Sequence, residues 1–294
     1  QRRDILVLNY SGLHIYYQDE GGIFSTTDTG VGVTELGFGY TNTSSISVGP
    51  SGIAEKERKS IGYIGDLNSD GITDILVNNL NLSRGLVNPT KQFQLFLGKQ
   101  KIGKSEMEIF YDNTPDHIIV NKGFQLGHSL IDLNADGLQD IAIPLIQVNL
   151  FDLIGMLISG HIDMDILFYL MNPTGKYANK PDFNKSVSIK FSLSGNKGNY
   201  PVIRFDGDFN SDGFPDFLTN DGQKELQIYY NNKKGLVSDK PNLTINTSIP
   251  LNGQNVITAN LNNDYRNDII IIREEEVSDS SDVAKNSIIV LMIR

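Results

Sequence analysis

The chain has 294 residues, ample for one large all-β domain or two smaller ones, and carries no cysteine, which excludes disulfides, zinc–thiolate sites and cysteine nucleophiles. Its net charge of −10 argues against nucleic acid as a partner, because phosphate backbones call for clustered Lys and Arg. Hydrophobic residues make up 39%, Trp is absent and Gly is frequent, a composition suited to many short strands joined by tight turns.

The chain opens on Gln1-Arg2-Arg3-Asp4 and runs straight into the apolar Ile5-Leu6-Val7-Leu8, which reads as the start of a mature or excised piece of a longer protein. Residues 30–52, rich in Gly, Ser and Thr, read as a strand with long connections. A strand at 60–65 leads into the loop Asp66-Leu67-Asn68-Ser69-Asp70-Gly71-Ile72-Thr73-Asp74, the strand 75–78 leaves it, and 93–97 follows as a third strand. The order recurs with a strand at 129–131 and the loop Asp132-Leu133-Asn134-Ala135-Asp136-Gly137-Leu138-Gln139-Asp140. Strands at 141–148 and 166–170 follow, then a fourth, alternating one at 187–191. Residues 141–159 have about the length of a membrane span, but Pro144, Gln147, Asn149, Asp152 and Gly155 are costly at a bilayer centre. They read as a strand to 148 and a short helix or apolar loop to about 159. The apolar stretch 150–158 is the best candidate contact surface, with membrane contact its lesser reading.

A third loop, Asp208-Phe209-Asn210-Ser211-Asp212-Gly213-Phe214-Pro215-Asp216, precedes the strand 226–230. A worn copy, Asn260-Leu261-Asn262-Asn263-Asp264-Tyr265-Arg266-Asn267-Asp268, precedes the strand 269–272. The acidic run 274–282 reads as a solvated loop before a last strand at 288–293. Asp4-Ile5-Leu6-Val7 matches Asp74-Ile75-Leu76-Val77 and reads as the tail of a fifth copy. The loops start at 66, 132, 208 and 260, a period that fits a four-stranded repeat unit with generous connections.

The loop spacing carries the chemistry. Calcium takes six to eight hard oxygen ligands. Positions 1, 3 and 5 present side chains to one point, position 7 a main-chain carbonyl and position 9 a further carboxylate. Glycine at position 6 permits a sharp turn. The expected ligands are Asp66, Asn68, Asp70, Ile72 (carbonyl) and Asp74; Asp132, Asn134, Asp136, Leu138 (carbonyl) and Asp140; Asp208, Asn210, Asp212, Phe214 (carbonyl) and Asp216. An EF-hand would need Glu at position 12, where Val77, Ile143 and Thr219 stand, and flanking helices rather than strands. The fourth copy lacks the first Asp and the Gly and places Arg266 at position 7, so it is expected to hold its shape by hydrogen bonds, with weak or no metal. About three Ca²⁺ sites are therefore expected, and they offset the repulsion of the clustered carboxylates.

D-x-N-x-D-G-x-x-D followed by an apolar strand resembles the FG-GAP/VCBS repeat family, the blade type of integrin α-subunit propellers and of many bacterial surface or secreted proteins. The stretch 123–268 looks particularly like bacterial VCBS-repeat proteins. The resemblance implies an all-β fold: a β-propeller of four-stranded antiparallel blades with calcium-binding hairpin loops. About 4.5 blades are expected, at 1–59, 60–126, 127–200, 201–254 and 255–294. A fragment of a longer propeller is favoured over a closed five-bladed ring.

No catalytic signature stands out. His14, His117, His128 and His161 form no zinc pattern, and Asp163 and Asp165 alternate with apolar residues as on the solvent face of a strand. The expected role is a calcium-stabilised binding or scaffold module for a protein or glycan partner, secreted, periplasmic or at the cell surface, and not an enzyme. The alternative is the propeller portion of a larger secreted enzyme or toxin component whose catalytic part lies outside this chain.

Overall fold

The computed structural model describes residues 5–9, 12–19, 21–26, 29–31, 57–81, 89–102, 107–147, 161–190, 201–222, 224–232, 237–250, 252–274 and 286–294. The expected helix or apolar loop after 148, the contact surface at 150–158, most of the region 30–52 and all but Glu274 of the acidic run lie outside them. The described residues form antiparallel sheets, with one short 3₁₀ turn at Gly253–Asn255 and no α-helix. They divide into two compact units: Gln1–Gly123 with Asn172–Lys180, and Phe124–Met171 with Pro181–Arg294.

In the first unit, β1 (Ile5–Asn9), β2 (Gly12–Tyr16) and β3 (Thr29–Val31) make a three-stranded meander. A four-stranded sheet follows: β4 (Glu57–Gly65), β5 (Asp74–Asn81), β6 (Thr90–Phe96) and β9 (His117–Lys122). Between its last two strands stands a separate hairpin, β7 (Lys99–Ile102) with β8 (Met107–Phe110), which the sequence reading did not foresee.

In the second unit, β10 (Phe124–Gln125) and β11 (Ser129–Ile131) share one side of β12 (Asp140–Ile146). β13 (His161–Tyr169) and β14 (Phe183–Lys190) complete that sheet. β15 (Ile203–Gly207), β16 (Asp216–Asp221), β17 (Glu225–Tyr229) and β18 (Leu243–Asn246) form a four-stranded sheet. β19 (Val256–Ala259), β20 (Asp268–Glu274) and β21 (Asn286–Leu291) form the last.

Burial explains the sequence patterns. A strand covered on both faces carries a continuous apolar run, and one covered on a single face alternates. Asp74–Val77, Asp140–Leu145 and Asp216–Thr219 are buried at every position, whereas β9 alternates buried with exposed from Ile118 onward. In β16, Phe217 packs with Phe168, Phe205 and Tyr229 in one core, while Leu218 joins Leu226, Ile228 and Ile269 in another. The first core is aromatic: Phe168 stacks on Phe183 at 4.6 Å and Phe205 on Phe217 at 4.8 Å. Each such side chain contributes roughly 1.5–3 kcal/mol by burial.

Pro144, unusual inside a strand with neighbours on both sides, sits where it costs no ladder bond. Its carbonyl accepts from Leu126 N, between β10 and β11, so its missing N–H faces the gap between those two strands and not β13.

Candidate metal centre

Every loop copy joins two neighbouring antiparallel strands: β4 to β5, β11 to β12, β15 to β16 and, in the worn copy, β19 to β20. Two positions are left-handed in all four. Position 4 has φ 59° at Ser69, 57° at Ala135, 64° at Ser211 and 62° at Asn263. Position 6 has φ 84° at Gly71, 87° at Gly137, 87° at Gly213 and 67° at Tyr265. A Cβ at Gly71 or Gly213 would meet nothing within 4 Å, so the demand for glycine comes from the backbone and not from lack of space.

The side chains at positions 1, 3 and 5 bond inward to the loop. Gly71 N donates to Asp66 Oδ2 at 2.9 Å, Asp70 N to Asn68 Oδ1 at 3.1 Å and Ile72 N to Asp70 Oδ1 at 2.8 Å. Asn68 Nδ2 donates to Asp70 Oδ2 at 3.0 Å. The second loop repeats this set through Asp132, Asn134, Asp136 and Leu138, and the third through Asp208, Asn210, Asp212 and Phe214. In the worn copy, Asp264 N still donates to Asn262 Oδ1, Arg266 N to Asp264 Oδ1 and Asn262 Nδ2 to Asp264 Oδ2, so hydrogen bonds hold that loop as expected.

Position 9 does something the spacing alone did not reveal. Asp74 is fully buried; Oδ2 accepts Leu67 N at 2.9 Å, and Oδ1 accepts Gly98 N, beyond the third strand, at 2.9 Å. Asp140 likewise accepts Leu133 N and Met171 N, Asp216 accepts Phe209 N and Asn231 N, and Asp268 accepts Leu261 N and Ile293 N. One carboxylate thus clamps the loop to the end of the third strand in all four copies. A second recurring clamp lies just before the fourth strand. Leu97 N donates to Asp116 Oδ2, Leu170 N to Asp182 Oδ2 and Tyr230 N to Asn242 Oδ1. Its signal was present in the sequence as Pro115-Asp116, Pro181-Asp182 and Pro241-Asn242.

Burial pushes the ninth-position carboxyls up, to about 6 at Asp74, about 7 at Asp140 and about 6 at Asp216. Their paired amide bonds pull the other way, and the carboxylates at positions 1 and 5 push further up. The buried acid of each of these three loops therefore feels the other two. Asp264, bonded to Arg266 N and Asn262, is held below the usual carboxylate range.

Among the described residues, no three acidic or histidine side chains stand in a ready ligating array. The donor set nevertheless fits a hard divalent cation. Each of the three intact loops holds three carboxylates, an amide oxygen and a sharply turned backbone, the hard-oxygen set such a cation takes. The histidines do not gather. His161 and Asp163 are exposed at the start of β13, ahead of buried Met164 and Ile166, while His117 starts β9 with its ring 6.3 Å from that of Tyr177.

These features define an all-β repeat protein whose unit is an antiparallel sheet opened by an Asp-rich loop. Residues 208–271 match the family model of the FG-GAP-like repeat, and that stretch spans the third loop, β16 to β19, the worn loop and the start of β20. No curated protein matches the chain.

Proposed function

We propose that this chain is a β-propeller-type module stabilised by calcium, acting outside the cell or at its surface as a rigid scaffold for protein or glycan partners. The observation that carries the reading is the threefold recurrence of one loop geometry on an Asp-Asn-Asp-Gly-Asp frame. Asp66, Asn68, Asp70, the Ile72 carbonyl and Asp74 would hold one ion, and the matching residues of the loops at 132 and 208 two more. The cation would supply charge neutralisation and fix the loop. The millimolar calcium outside cells suits loops of modest affinity. A sheet framework that holds exposed loops rigidly suits recognition.

Thermal unfolding in calcium and in EGTA tests this. Three sites at ten times their Kd would together raise the melting temperature by about 10 °C. The gain is expected to vanish in an Asp70→Ala/Asp136→Ala/Asp212→Ala variant. A calcium effect of the same size in that variant, or none in the parent, overturns the reading.

A further inference from the structure

We propose that Asn231 couples cation binding at the loops 132–140 and 208–216, so that filling one raises the affinity of the other; this rests on the calcium reading above. Asn231 is 3% exposed and follows β17. Its backbone N–H donates to Asp216 Oδ1 at 2.8 Å. Its side-chain amide donates to Leu133 O at 2.7 Å and to Pro215 O at 3.3 Å. Leu133 is position 2 of the second loop, and Pro215 and Asp216 are positions 8 and 9 of the third. One buried residue is therefore bonded to two loops at once.

The connection continues into each loop. Leu133 N donates to Asp140 Oδ2, so the peptide whose neighbouring carbonyl meets Asn231 is itself fixed by the ninth position of its own loop. Phe209 N donates to Asp216 Oδ2, which ties the other end of the path to the third loop. Asp140, Leu133, Asn231, Asp216 and Phe209 thus make a continuous bonded path within the unit Phe124–Met171, Pro181–Arg294. Without a cation, the carboxylates of each loop repel one another. An ion in the second loop would order Leu133, and an ordered Leu133 carbonyl fixes the Asn231 side chain. Asn231 in turn holds the backbone and carboxylate of the third loop, so part of the ordering cost there is already met. Coupling is reciprocal by linkage.

The test titrates calcium alone calorimetrically into the full chain, with the first loop silenced by Asp70→Ala throughout. Disabling the third loop by Asp212→Ala is expected to weaken the second loop about fivefold or more. In an Asn231→Ala background the same change is expected to weaken it by less than about twofold. Equal drops in both backgrounds overturn the coupling while the calcium reading stands. No calcium binding in the parent chain overturns the calcium reading itself. Hydrogen exchange of amides 133–140 gives a second measurement that needs no Asn231 variant. Calcium-induced protection there is expected to fall in Asp212→Ala and to be unchanged in Asp70→Ala; an equal response to both also overturns the proposal.

Discussion

At the scale of single residues, the four loops make a comparison series on one backbone. Position 6 is left-handed whether glycine or tyrosine stands there, and Tyr265 is 78% exposed, so little packing offsets its strained conformation. Tyr265→Gly is expected to stabilise the chain by about 1 kcal/mol, read as a raised denaturant midpoint at unchanged slope. Positions 5 and 9 should separate just as clearly. In EGTA, Asp140→Ala leaves the Leu133 and Met171 amides without their acceptor and is expected to cost about 3 kcal/mol. Asp136→Ala, on the exposed rim, should cost under about 1 kcal/mol in the same chelator and show its effect only when calcium is present. Similar costs for both would remove the distinction between clamp and ligand. The raised carboxyls also set a pH dependence. A carboxyl with a higher pKa folded than unfolded stabilises the fold most below the unfolded value near 3.8, and that contribution is lost as pH rises through about 6 to 7. In EGTA the melting temperature should therefore fall between pH 5 and pH 8, and calcium should flatten the slope; a rise over that range would contradict the burial of Asp74, Asp140 and Asp216.

At the scale of elements, the strand that leaves each Asp-rich loop bears the heaviest packing of its sheet among the described residues. Phe217→Ala removes a ring that contacts Phe205 and Tyr229 and is expected to cost about 4 kcal/mol, whereas Pro144→Ala should change stability by less than about 1 kcal/mol because no ladder bond is at stake. Urea titrations of both variants check the contrast. The continuous apolar runs after three of the loops, and the alternation at 187–191, made β5, β12, β20 and β14 legible from sequence, because burial on two faces or one leaves different periodicities. The β7–β8 hairpin was not legible: Lys99–Ile102 and Met107–Phe110 are four residues each, too short for either period to register. The break between β10 and β11 escaped for the same reason.

At the scale of the whole molecule, spacing alone was enough to find three equivalent loops and their worn fourth copy, and the resemblance they carry implied the antiparallel sheets seen among the described residues. The family match covers 208–271, a narrower stretch than the resemblance read across nearly the whole chain. The double duty of the ninth aspartate stayed hidden because its second partner is remote in sequence: Gly98 lies 24 residues beyond Asp74, Met171 lies 31 beyond Asp140 and Asn231 lies 15 beyond Asp216. Local pattern shows which residues a loop contains but not which distant amide will close on it.

That separation has a consequence for biosynthesis. A chain leaving the ribosome presents each Asp-rich loop before the amide that completes its clamp. At typical synthesis rates the interval is on the order of seconds. During it the buried carboxylate has one of its two partners, and the strand behind it has only the strand before the loop beside it. Each repeat must therefore mature only after its third strand emerges, from the N-terminal copy to the C-terminal one.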